Sequence, residues 1–186
     1  MSDDAKFLQP ASGLVTPRFA GIATFMRLPH VPLKKAKGID IGIIGDVKDG
    51  IKRIEKYYRK VVDAGIRPLS CGGDHLVSYP ILRALGRERP VGMVHFDAHT
   101  DLFDSYFGGF NITHGTPFRR AIEDGVLDPK RTVQIGIRGP AYDYEDREFA
   151  AKAGVRIIEI EEFAKLGMEK TMEIARAIAG SGPTYV

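Results

Sequence analysis

The sequence predicts an α/β fold in three layers, α/β/α, around a mainly parallel sheet, and three observations carry that reading. From residue 39 onward, short apolar runs alternate with stretches of helical periodicity. Several of the runs, such as "VGMVHFD" (91–97) and "TVQIGI" (132–137), are apolar almost without interruption, as strands covered on both faces are. Polar clusters then follow directly on the strands, where ligands bind in sheets of this kind: "GGDH" (72–75), "DAHTD" (97–101) and "RGP" (138–140).

Residues 1–38 carry Pro10, Pro17, Pro29 and Pro32 and no sustained periodicity, which reads as an extended arm over a domain or a neighbouring subunit. Residues 39–186 read as a single α/β domain. "IDIGIIG" (39–45) is its first strand. The helix after it, residues 49–65, has Ile51, Ile54, Tyr58, Val61 and Val62 at helical spacing and Gly65 as a stop. A strand over 66–71 and a helix over 78–85 come next, with Pro80 tolerable in the first turn. After the strand 91–97, residues 116–125 form a helix with Thr116 as N-cap and Pro117 at its first position. The strand 132–137, a helix over 143–154, a strand over 155–160 and a helix over 168–180 complete the alternation. "SGPTYV" (181–186) has the look of another strand opening, so the chain reads as incomplete there.

Composition narrows the function classes. A chain of 186 residues with 44% hydrophobic content buries one sizeable core. The net charge of +3 is small, and the run "KKAK" (34–37) reads as a solvated linker, so nucleic acid is not an expected partner. No apolar stretch approaches the length of a membrane span. Cys71 is the only cysteine, read as a buried inert thiol in a reducing compartment. The acidic start "MSDDAKFLQP" has no apolar h-region, and the chain is expected to be cytoplasmic.

The chemistry concentrates in one stretch. If the strand continues extended past residue 96, Asp97, His99 and Asp101 fall on one face by the period of two and converge on a cation. His75, at the end of the preceding strand and loop, reaches the same place in a parallel sheet. Asp74 reads as a turn cap, Asp104 as part of a solvated loop, and His95, deeper in its strand, as a core histidine rather than a ligand. Carboxylates and imidazoles without a thiolate suit Mn2+ at least as well as Zn2+. Two carboxylates permit bridging between two metals roughly 3.5–4 Å apart. Arg138 is a candidate partner for a substrate carboxylate, with bracing of its own backbone as the alternative.

With these motifs in hand, "GGDH" (72–75), "HFDAHTD" (95–101) and "THGTPFRRA" (113–121) resemble the ureohydrolases: arginase, agmatinase and the guanidino-acid hydrolases. The arm segment "PRFAGIATFMRLP" (17–29) is similar to that of agmatinase-like guanidinobutyrase and guanidinopropionase enzymes. The resemblance implies the arginase-like fold and an amidinohydrolase that releases urea and an amine from guanidinobutyrate, guanidinopropionate or agmatine. It implies two Mn2+ per active site holding a hydroxide, with His75, Asp97, His99 and Asp101 as ligands and Asp97 bridging. Asp101 then also passes a proton to the leaving nitrogen, and His114 shuttles protons or lines the pocket. A homo-oligomer, trimer or hexamer, is implied as well.

Two departures from the family pattern set the rival readings. The family's later Asp-x-Asp strand, which supplies the remaining ligands, has no counterpart before Val186. Its Gly-rich segment after the first strand is also absent, since "IDIGIIG" runs straight into "DVKDGIKR" (46–53). A shortened, non-catalytic ureohydrolase or assembly partner is therefore the first alternative, and a single-zinc deacetylase of the same fold the second.

Overall fold

The computed structural model describes residues 23–26, 38–40, 46–106, 108–139 and 144–186. They fall into two compact units, Met1–Ala84 and Leu85–Val186. Most of the arm, including His30 and the run at 34–37, lies outside the described residues, as do residues 41–45 of the first expected strand.

The first unit contains a three-stranded antiparallel sheet in the order β2-β1-β3, from Ala23–Met26 (β1), Gly38–Asp40 (β2) and Pro68–Cys71 (β3). Part of the segment read as an arm is thus a strand. This also corrects the expected role of strand 66–71, which pairs antiparallel with β1 rather than parallel in the main sheet. Helix α1, Val47–Asp63, starts where the Asp46 carboxylate accepts the Asp49 N–H at 2.8 Å. Its spaced residues Ile51, Ile54, Tyr58 and Val61 are all buried, as the periodicity requires. The Tyr58 hydroxyl bonds that of Ser70, tying α1 to β3. Glu55, also buried, is held by Arg59 at 2.5 Å and Arg83 at 3.1 Å. Cys71 is exposed, not buried, because β3 alternates and sends Leu69 and Cys71 to its open face. Beyond β3 come a 3₁₀ turn, His75–Val77, and helix α2, Ser78–Leu85, within the bounds its periodicity predicts.

The second unit is built on a four-stranded sheet, all parallel, in the order β6-β5-β4-β7. Its strands are Val91–Phe96 (β4), Leu127–Ile137 (β5), Arg156–Glu159 (β6) and Thr184–Tyr185 (β7). The C-terminal strand opening expected from "SGPTYV" is therefore real, and it pairs beside β4. Strand β5 begins at Leu127, earlier than the expected Thr132, with a shift in its register against β4. Pro129 has no N–H for the ladder, so the early part of the strand bulges before pairing resumes.

Helices cover both faces of this sheet. Helix α5, Ile160–Ala179, packs Ala175 and Ala179 with Val94, Val133, Ile135 and Ile158. It breaks at Gly167, whose φ of 73° leaves the helical region, one residue before the helix start expected at Met168. On the opposite face, set by the parity of His95 against Val94, lies α3, Pro117–Glu123, with Phe118 against the His95 ring. Helix α4, Glu145–Ala153, joins α3 through Arg119, which bonds Glu145 at 2.7 Å and stacks over Phe149. Gly154 closes α4 at φ 94°.

Candidate metal centre

The site grows out of the carboxyl end of β4. The strand stops at Phe96, and the chain does not continue the extended alternation expected over 97–101. Instead the Asp97 Oδ1 accepts the His99 N–H at 2.9 Å, which turns the backbone within two residues. The same Oδ1 lies 3.5 Å from His99 Nδ1. The two side chains come together, then, through a turn rather than through the pleat.

Asp101, further along the same loop, is set by a second device. Its φ is 52°, the only left-handed non-glycine among the described residues. Aspartate tolerates this region better than most residues, yet it costs on the order of 1–3 kcal/mol and persists only where the surroundings enforce it. They do: the Asp101 carbonyl accepts the Phe118 N–H at 3.3 Å, and Asp101 is 6% exposed. Its carboxylate is thus largely withdrawn from solvent at a kinked backbone.

Neighbouring elements clamp this loop. Thr100 donates its hydroxyl to Asp146 Oδ2 at 2.6 Å, and Arg147 holds the same oxygen at 3.2 Å. From the end of β5, the Arg138 and Gly139 N–H groups donate to the Ala98 carbonyl at 2.8 and 2.7 Å. Asp104, exposed as expected of a solvated loop, also anchors the loop to α3 through Arg120 at 2.7 Å. That hydrogen bond, with the charges of Arg119 and Arg120, holds its carboxyl below the usual range. Because the folded pKa is depressed, this tether is intact above the ordinary carboxylate range and fades as pH falls through the lowered value.

Gly139 sits where no side chain fits. A Cβ there meets His99 Cδ2 at 2.5 Å and the Ala98 carbonyl at 3.1 Å. Gly139→Ala is expected to push the His99 ring aside and, with His99 holding the Mn2+ proposed below, to weaken its binding about 10–100-fold. Calorimetric titration of the variant with Mn2+ checks this, and unchanged affinity contradicts it.

The remaining expected residues are placed as follows. His75 opens the 3₁₀ turn of the first unit, half-buried, with Asp74 accepting the Leu76 N–H at 2.9 Å as the cap it was read to be. His114 is exposed in the loop before α3, edge-on to Tyr106 at 5.5 Å. Thr116 stands at the N-cap position without capping, since its hydroxyl serves Asn111 and Thr113 in that loop instead. Arg138 is exposed and donates to the Gly136 carbonyl at 3.1 Å, the backbone-bracing alternative. His95 is buried, as a core histidine is. Sequence reasoning passed over Gln134, fully buried in β5 beside His95; a lone amide in the apolar run "TVQIGI" was the available signal.

Comparison with known proteins bears on what this loop belongs to. Residues 16–186 match the Arginase family. The chain is 46% identical to a guanidinopropionase of Pseudomonas aeruginosa, over 96% of this chain and 73% of the relative. It is 35% identical to a guanidinobutyrase of the same organism, over 98% of this chain and 75% of the relative. The first alignment runs over 231 positions, more than this chain has residues, so the relative carries internal segments without a counterpart here. Among solved structures, proclavaminate amidinohydrolase from Streptomyces clavuligerus superposes with a TM-score of 0.67 at 31% identity. That match covers 76% of this chain but 47% of the other, so the chain spans about half of the solved relative. Motifs, parallel sheet and overall similarity agree: this chain belongs to the arginase family, whose matched curated relatives are ureohydrolases.

Proposed function

We propose that the chain carries a metal-dependent amidinohydrolase site that releases urea and an amine from a linear guanidino compound. Guanidinopropionate and guanidinobutyrate lead the substrates, after the names of the two relatives, with agmatine next. The observation that carries the reading is the loop after β4, which brings Asp97 against His99 and buries Asp101 on a left-handed backbone. The donor set fits the metal the family implies: carboxylates and imidazole with no thiolate beside them suit Mn2+. Asp97, His99, Asp101 and His75 would hold the ions, two per site.

Bound there, Mn2+ supplies Lewis acidity that lets water act as a nucleophile near neutral pH. The chain's own residues do the rest. Asp97 and His99 fix the position of that water relative to the substrate's guanidinium carbon. Asp101, kept from bulk solvent, takes a proton from the attacking water and returns it to the departing amine nitrogen. His114, on its exposed loop against Tyr106, lines the entrance and relays protons to solvent. Addition of water at the guanidinium carbon and loss of the amine leave urea.

Urea release from the three substrates, with Mn2+ present and after chelation, tests the reading. Expected is urea release from at least one of the three that requires Mn2+ and is lost on chelation. No release from any substrate overturns the catalytic reading and favours the assembly-partner alternative. A single Zn2+ in place of two ions by metal counting overturns it in favour of a deacetylase. A homo-oligomer and a cytoplasmic location complete the proposal. The lone cysteine supports a reducing compartment, and no helix among the described residues is long and apolar enough to cross a membrane.

A further inference from the structure

One chain of buried polar groups behind the proposed ligands has no part in the ligand set. Gln134 is 0% exposed, and its Nε2 lies 2.6 Å from the Thr100 carbonyl and 3.1 Å from His95 Nδ1. A carbonyl only accepts, so the amide nitrogen must face Thr100. Turning the amide over would set two oxygens 2.6 Å apart, even though Oε1 finds no hydrogen bond among the described residues as it stands. With the amide fixed, the second N–H of Gln134 points at His95 Nδ1, which therefore accepts. A neutral imidazole accepting at Nδ1 carries its hydrogen on Nε2. That Nε2 faces Asp97 Oδ2 at 3.5 Å, while Oδ1 serves His99.

We propose that His95 is a positioning residue for Asp97, its Nε2–H directed at Oδ2 in a tautomer imposed by Gln134, and is not itself a metal ligand. A ligating Nε2 would need the hydrogen on Nδ1, where Gln134 already presents one. Phe118 holds the ring edge-on at 4.6 Å, so it cannot swing to another role without repacking the core. At 3.5 Å the pair is in close contact but longer than a hydrogen bond, and the bond proposed forms as the contact tightens when the site is filled. Carboxylate ligands are commonly held by such outer partners, whose loss costs about 10–100-fold in metal affinity. The inference rests on Asp97 being a ligand, and the experiment separates the two.

Nitrogen-15 NMR of the histidine-labelled, chelated chain reads the tautomer without any substitution. The neutral His95 ring is expected to carry its hydrogen on Nε2; a hydrogen on Nδ1 overturns the proposal. Mn2+ titrations then compare three variants whose folding is checked by thermal melting. His95→Gln, which keeps a donor near the Nε2 position, is expected to bind within a few-fold of the unaltered chain. His95→Phe, a ring without a donor, is expected to lose about 10–100-fold. Equal binding by His95→Phe, with Asp97→Ala strongly impaired, overturns the positioning role alone. Unimpaired binding by Asp97→Ala instead removes the ligand reading on which the role depends.

Discussion

Replacing Asp97 with alanine is expected to lower the Mn2+ affinity of the purified chain by more than about 100-fold, beyond the range for loss of a supporting residue. The geometry gives the reason. One carboxylate gathers the His99 N–H at 2.9 Å, the His99 ring at 3.5 Å and the His95 ring at 3.5 Å. Its removal takes a proposed ligand from the site, and it also releases the turn that sets His99. The free-Mn2+ signal in electron paramagnetic resonance titrations measures the effect directly. Glu173→Ala is the matched control: its carboxylate pairs with Lys170 at 2.7 Å on the exposed side of α5 and takes no part in this loop, so its loss should leave Mn2+ affinity unchanged. If the two variants titrate alike, the assignment of Asp97 as a ligand is wrong.

Phe118→Ala is expected to cost about 3–5 kcal/mol of stability, the usual range for a fully buried phenylalanine. Phe118 is 0% exposed and lies in the first turn of α3, on the face of the sheet that carries His95. Two contacts separate it from an ordinary core residue. Its ring packs edge-on to the His95 imidazole, and its backbone N–H donates to the Asp101 carbonyl at 3.3 Å. The backbone N–H survives in alanine, so the Asp101 kink should persist while the His95 ring gains room. Urea denaturation is expected to show the lost stability, and the variant should still bind Mn2+, less tightly than the unaltered chain. A loss under about 1 kcal/mol would mean that the cavity collapses and that Phe118 is not the pillar of this face.

Local signals in the sequence carried far, and non-local ones did not. Helix α2 is legible to the residue because Ser78–Leu85 combines a proline in its first turn with an apolar run broken only by Arg83. The parallel strands β4 and β5 are legible because burial on both faces leaves them without polar alternation. The antiparallel partnership of β3 with β1 was not, since strand pairing across more than forty residues leaves no local mark. At the site, residue types were legible and their geometry was not. The alternation of Asp97, His99 and Asp101 suggested a pleated strand, whereas one side-chain hydrogen bond and one left-handed backbone do the folding. Gly139 lies in the cluster "RGP" (138–140), but its importance was not legible there, because it comes from the His99 ring that a residue forty positions earlier places beside it.

Anomalous diffraction from crystals of the chain grown with Mn2+ tests the central claim most directly. The account predicts manganese density bonded to Asp97, His99 and Asp101, with His75 completing the protein's share and His95 outside bonding distance. Manganese found elsewhere, or no ordered peak at Asp97 under saturating Mn2+, would contradict it.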